Sequence, residues 1–143
     1  MTTELGYVED CACHKVRMAA RAVTRAYDEA LRPARLRASQ LAVLVAINNN
    51  DGAISIVALA KIMGMDRSTL TRNLRPLEKE GLVAIGLEGW RRSRALEITE
   101  QGRWRLREAL PLWRRAQDAL RHRLSDRAWA DVHDCLDRLI LLA

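Results

Sequence analysis

The stretch from Met65 to Val83, MDRSTLTRNLRPLEKEGLV, leaves few choices of fold. Asp66 is placed to cap a helix by accepting from the free amides of its first turn, and Leu70, Leu74 and Leu77 follow at helical spacing as one apolar stripe. The other faces carry Arg67, Ser68, Thr69, Thr71, Arg72, Asn73 and Arg75, side chains that can hold phosphates and hydrogen-bond base edges together. Basic residues opposite a core stripe also occur on ordinary surface helices, so the neighbouring segments decide the meaning.

Upstream, Ser55 precedes the short apolar segment IVALAKIMG, which stops at Gly64. A capped helix, a glycine turn and a second capped helix in succession are the grammar of a helix-turn-helix. Downstream, LVAIGL and RALEI are two strand-like runs joined by the basic turn Glu88-Gly89-Trp90-Arg91-Arg92-Ser93. A basic hairpin behind a helix-turn-helix reads as a wing.

In order and in detail, the helix, the glycine turn, MDRSTLTRNLRPLEKEGLV, RRSRALEIT and EQG resemble the MarR family of winged-helix transcriptional regulators, over nearly the whole chain. The resemblance implies a mainly α fold with a small β wing, a single MarR-like domain over residues 1–143. A winged helix-turn-helix lobe at about 36–99 would be flanked by dimerisation helices at about 7–32 and 100–142. It implies an obligate homodimer on a pseudo-palindromic operator, with the lobes in successive major grooves and the wings at the flanks. Double-stranded DNA and a second copy are then the partners, and repression is the expected outcome. Similar proteins release DNA on binding a small aromatic effector in the crevice between lobe and dimerisation helices.

Charge agrees with this. The net charge is +6 and the pI about 9.9, so a dimer carries formally +12, twice the single-chain value, and is drawn to polyanions through counterion release. The chain's 143 residues suit one domain better than two. No apolar run approaches the ~20 residues that span a bilayer, and MTTELGYVED lacks the pattern of a secretory signal, so no membrane association and a cytoplasmic location are expected.

From about Val8 to Leu31, the residues Val16, Ala19, Val23, Ala26 and Ala30 form an apolar stripe on a helix ~36 Å long, which Pro33 ends. LAVLVAIN is a short helix with the composition of a buried one. Relatives place Thr or Ser where Arg37 stands, as half of a capping box with Gln40, so here the cap is expected to be lost or to move to Ser39. Asn48 to Gly52 is a turn, and Ile54 marks a third, very short strand. Pro76 removes the amide that would bond to Arg72, ordinarily a cost of ~3 kcal/mol, and a kink rather than a stop is expected. Thr99 caps a helix running to about Arg123, and Ser125 and Asp126 precede a last helix edged by Val132, Leu136, Leu139 and Ile140. Neither terminal stripe has a partner within so small a lobe; dimerisation would bury both.

The candidate DNA-binding residues are Arg67, Ser68, Thr69, Thr71, Arg72 and Arg75 for the major groove and Arg91, Arg92 and Arg94 for phosphates or a narrow minor groove. Arg103, Arg105 and Arg107 point around the circumference of their helix and are expected to be solvated. Relatives commonly carry an orienting Asp in the wing where this chain has Trp90.

Cys13 occupies a place resembling the reactive cysteine of the organic-hydroperoxide-sensing branch, with His14, Lys15 and Arg17 nearby to activate a thiol, and is the candidate redox sensor. The tyrosines of that branch are not matched by Tyr7 and Tyr27. Cys11, Cys13 and Cys135 form no zinc framework, and on a helix Cys11 and Cys13 would lie ~200° apart, so no metal and no cofactor are expected. There is no Gly-rich phosphate loop, HExxH or nucleophile elbow, which speaks against an enzyme. The rival classes are a non-specific architectural DNA binder and a winged-helix protein-interaction module; the basic recognition helix argues against the second, while charge alone does not separate the first.

Overall fold

A computed structural model of the chain describes residues 8–86 and 95–142. The elements run α1 (Ala12–Leu31), a 3-10 turn (Arg32–Ala34), α2 (Ala38–Asn48), β1 (Ala53–Ser55), α3 (Ile56–Met63), α4 (Arg67–Lys79), β2 (Val83–Ile85), β3 (Ala95–Ile98), α5 (Glu100–Arg123) and α6 (Asp126–Ile140).

Local chemistry sets most of these boundaries. Ser55 Oγ accepts from Ala58 N at 3.1 Å, Asp66 Oδ1 from Thr69 N at 2.8 Å, Thr99 Oγ1 from Gly102 N at 3.0 Å and Ser125 Oγ from Ala128 N at 3.2 Å. Each supplies an acceptor for an amide that a helix start leaves unpaired. Gly64, at φ 61, closes α3 in the left-handed region, where a Cβ is costly. Helix α4 runs through Pro76 without a stop.

Two expectations at helix starts are corrected. Arg37 supplies no side-chain cap to α2, as expected, but the cap does not move to Ser39: Asp28 Oδ1, on α1, accepts from Ala38 N at 2.7 Å, while Gln40 Oε1 accepts from the Arg37 amide at 2.9 Å. The first helix is not continuous from Val8, because residues 8–10 are helical but Cys11 takes an extended ψ of 111° at the N-cap of α1. Cys11 and Cys13 therefore do not share one helix.

The strands form a three-stranded antiparallel sheet in the order β1-β3-β2, with Ile54 opposite Leu96 and Val83 opposite Ile98. Ile54 is thus part of a strand, as its surroundings suggested. Gly86 N donates to Ala95 O at 2.8 Å where the hairpin leaves the sheet. The core lies between this sheet and the helices. Helix α2 is its axis, with Leu41, Val43, Leu44, Ala46 and Ile47 buried, and α4 contributes Leu70, Leu74 and Leu77. Fully burying such side chains stabilises by roughly 1.5–3 kcal/mol each, which holds α4 in one rotational setting.

Helix α6 has no buried residue, and Leu136 and Ile140 are 42% and 69% exposed. On α1, Val16 and Val23 are exposed as well. Among the described residues, the α6 stripe and the N-terminal half of the α1 stripe are left exposed, while Ala30 near the end of α1 is half-buried. No helix among the described residues is long and apolar enough to cross a membrane.

Candidate nucleic-acid interface

At 100° per residue, the buried Leu70, Leu74 and Leu77 of α4 place Ser68, Arg72, Arg75 and Lys79 on the opposite side, with Arg67 and Thr71 on one flank and Thr69 and Asn73 on the other. Arg67, Ser68, Arg72, Arg75 and Lys79 are exposed, and none of these four cations is in an ion pair among the described residues. Their charge is available to an outside anion. Lys79 is a member of this face that the motif reading passed over, although its spacing of four from Arg75 is plain in the sequence.

The threonines differ from the arginines. Thr69 Oγ1 donates to Asp66 Oδ2 at 2.9 Å, and Thr71 Oγ1 donates to the Arg67 carbonyl at 2.7 Å. Both hydroxyl protons are committed inside the helix, so towards a ligand these groups offer acceptor oxygens and methyl groups. Asn73 Nδ2 lies 3.5 Å from the Met65 sulfur and is half-buried. Thr69, through its amide and then its hydroxyl, holds the Asp66 carboxyl below its ordinary pKa, with smaller help from the Ser68 amide and the Arg72 charge. The start of α4 is thereby kept anionic and capped at neutral pH.

Arg91, Arg92 and Arg94, with Glu88 and Trp90, lie outside the described residues. The helix behind the sheet departs from expectation. Arg105 is not a solvated cation: its side chain is 12% exposed, and its guanidinium reaches Glu80 Oε2 at 3.2 Å and the Ala34 carbonyl at 3.4 Å. Arg103 is half-buried beside Gly52, whereas Arg107 is exposed as expected.

Between α1, α2 and α5 lies an apolar crevice of about 270 Å3, lined by Tyr27, Leu41, Val45, Leu110 and Trp113 among others. The Tyr27 hydroxyl donates to Gln117 Oε1, and burial raises the phenol above its ordinary pKa. Among the described residues, no group of three or more His, Cys, Asp or Glu is placed to hold a metal ion.

Residues 36–84 match the model of the MarR family. The transcriptional regulator MosR of M. tuberculosis, solved in complex with DNA, is 34% identical and superposes with a TM-score of 0.85 over 93% of this chain and 96% of its own. The chain belongs to the MarR family.

A second MosR structure is 37% identical with a TM-score of 0.79, covering 91% of this chain and 93% of that one. A mutant of E. coli MarR, complexed with operator DNA, has a TM-score of 0.83 over 96% of this chain and 99% of its own; at 22% identity it speaks to the fold. Curated protein sequences contain no match. The span matching the MarR family begins before α2 and ends within β2, so it contains the whole of α4 and its exposed basic face. The winged helix-turn-helix architecture is that of MarR-family regulators, and the mainly helical fold with a small antiparallel sheet agrees with them.

Proposed function

We propose that this MarR-family chain is a sequence-specific DNA-binding transcriptional regulator that acts as a homodimer, represses from a pseudo-palindromic operator and responds to an effector or an oxidant. The observation that carries the reading is the exposed basic face of α4, in no ion pair among the described residues, with Ser68, Arg72 and Arg75 directly opposite the buried leucine seam. A helix held from behind by its core and presenting guanidinium groups in front suits insertion into a major groove.

Within this reading Arg67, Ser68, Thr69, Thr71, Arg72 and Arg75 contact the major groove. Thr69 and Thr71 serve as acceptors and methyl contacts, since their protons are spent internally. Arg91, Arg92 and Arg94, between the two strands in sequence, take the flanking phosphates or minor groove. The exposed stripes of α1 and α6 supply the apolar surface of the dimer, which sets half-sites one helical turn apart, ~34 Å, on one face of the duplex. The dimerisation helices are then the segments at about 7–32 and 100–142, and the lobe is about 36–99. The crevice beside Tyr27 and Trp113 suits a small aromatic effector. Cys13, exposed in the first turn of α1, is the candidate oxidant sensor. A DNA-binding role without catalysis fits a cytoplasmic protein, and no helix among the described residues is long and apolar enough to cross a membrane.

The test is fluorescence anisotropy on the protein's own upstream intergenic DNA and on a scrambled duplex at near-physiological salt. Preference for the native duplex by a factor of ~10³ or more is expected. Equal affinity for every duplex tried, including the remaining intergenic regions of the locus, would remove sequence-specific regulation from the reading.

A further inference from the structure

A second concavity, separate from the apolar crevice, has the opposite chemistry. Helix α1, the turn after it, the start of α2 and the end of α4 line an open cleft of about 650 Å3. Arg25 reaches it from α1, Arg32 from the first residue of the 3-10 turn, Arg35 from the residue after that turn, and Arg37 from the N-cap of α2. Four guanidinium groups on one concave surface repel one another unless an anion is supplied.

The carboxylates that line the cleft are engaged or weakly placed. Asp28 accepts from the Ala38 amide at 2.7 Å, and Glu80 is paired at 3.2 Å with Arg105, which does not line the cleft. Glu29 approaches Arg32 only to 3.8 Å, with both side chains more than three-quarters exposed. Among the described residues, Arg25, Arg35 and Arg37 take part in no ion pair and their side chains in no hydrogen bond. Arg35 moreover stands at φ 54, ψ 38, in the left-handed region where glycine or asparagine is the economical residue. An arginine is kept there at an energetic cost, and its side chain lines the cleft.

We propose that this cleft binds a soluble phosphorylated ligand of the nucleoside diphosphate class. The planar forks of Arg25, Arg35 and Arg37 match phosphate oxygens, which a compact ammonium would hold less specifically. The volume is that of a small-molecule site, larger than inorganic phosphate fills. Glu29 and the amide of Gln40, on the same lining, provide acceptor and donor groups for hydroxyls or an amino group, which a bare polyanion does not need. A duplex is the less suitable anion. The cleft lies at the C-cap of α4, ~20 Å along the helix from Arg67, and its concave shape fits poorly against the convex backbone of DNA.

The experiment is isothermal titration calorimetry of the full chain with ADP at near-physiological ionic strength, with adenosine as the phosphate-free comparison. Saturable binding of ADP and none of adenosine is expected. The double variant Arg25→Ala/Arg37→Ala should weaken ADP by at least ~10-fold, equivalent to ~1.4 kcal/mol, and Arg107→Ala, on an exposed arginine outside the cleft, should leave it unchanged. Arg35→Gly removes a guanidinium while relieving the left-handed backbone, so its thermal midpoint should not fall even as ADP binding does. No saturable binding, or equal losses in the cleft variants and Arg107→Ala, overturns the proposal. So does exclusion of ADP by a saturating random-sequence duplex, which would assign these arginines to the DNA backbone. Retained ADP binding beside that duplex supports a soluble ligand.

Discussion

The guanidinium of Arg105 lies 3.2 Å from the Glu80 carboxylate and joins α5, the long helix leading to the C-terminal region, to the last turn of the exposed basic helix α4. The same guanidinium touches the Ala34 carbonyl at 3.4 Å, so three segments meet at one cation. The Arg105 side chain is 12% exposed and that of Glu80 45%, so the pair is less screened than a surface ion pair while Glu80 keeps part of its hydration. Arg105→Ala is expected to lower stability by roughly 1–2 kcal/mol in urea unfolding, with a coupling of roughly 0.5–1 kcal/mol to Glu80→Gln in a double-mutant cycle. Additivity of the two variants would show that the ion pair carries no stability.

A different junction rests on close approach. A Cβ built on Gly102 would collide with the Leu82 carbonyl oxygen, and that carbonyl accepts from the Thr99 amide at 3.1 Å. Backbone, unlike a flexible side chain, gives way only by moving β2 and α5 apart. Gly102→Ala should therefore cost ~1–3 kcal/mol, the usual range for overpacking, despite the higher helix propensity of alanine. Thr99→Ala, which removes the cap on Gly102 N and a 2.6 Å bond to Gly81 O, should cost about 1 kcal/mol. Thermal or urea midpoints report both, and a Gly102→Ala protein as stable as wild type would mean that the contact relaxes freely.

On the DNA face, Arg72 and the wing arginines should separate in their effects. On the proposed reading, in which Arg72 contacts a base edge, Arg72→Ala is expected to weaken operator binding by about 1–3 kcal/mol and random-duplex binding by less. Arg92→Ala should weaken both duplexes alike and reduce the salt slope by about one. Anisotropy titrations across a range of salt concentrations measure each quantity. Equal losses on both duplexes for Arg72→Ala would count against base reading.

The Asp66 carboxyl titrates below its ordinary value because Thr69 donates to its charged form from both amide and hydroxyl. A carboxyl with a lowered folded-state pKa contributes stability that is fully present above its unfolded value, ~4, and is lost as pH falls through the folded value. Asp66→Asn keeps a capping oxygen but does not titrate. Wild type should be the more stable of the two at neutral pH, and the difference should vanish at pH values well below 4. A gap that persists there would place the effect elsewhere.

Cys13 is exposed, and Cys11 stands at a break in the helix rather than within it. If oxidation at this thiol releases DNA, Cys13→Ser should abolish the loss of operator binding that organic hydroperoxide produces, while reduced-state affinity stays the same. Peroxide-induced release that survives in the variant removes Cys13 from sensing.

Much of the fold is legible in the sequence because the signals are local. Leu70, Leu74 and Leu77 share a face through helical period alone, and Ser55, Asp66, Thr99 and Ser125 each cap an amide three residues on. Such relations need no knowledge of where distant segments lie. They also locate the basic face of α4, since what is opposite a buried stripe is outward. Lys79 was available by the same reasoning.

What the tertiary structure alone decided are the pairings across sequence distance. Asp28 caps Ala38 from a different helix, Arg105 is drawn out of solvent by Glu80 and Ala34, and four arginines converge on one cleft although their spacing in the chain shows only a basic segment. An arginine has the same intrinsic chemistry in every setting; whether it is solvated, paired or aimed at a ligand depends on the dielectric and partners that packing brings to it, and those are set by contacts between residues far apart in the chain.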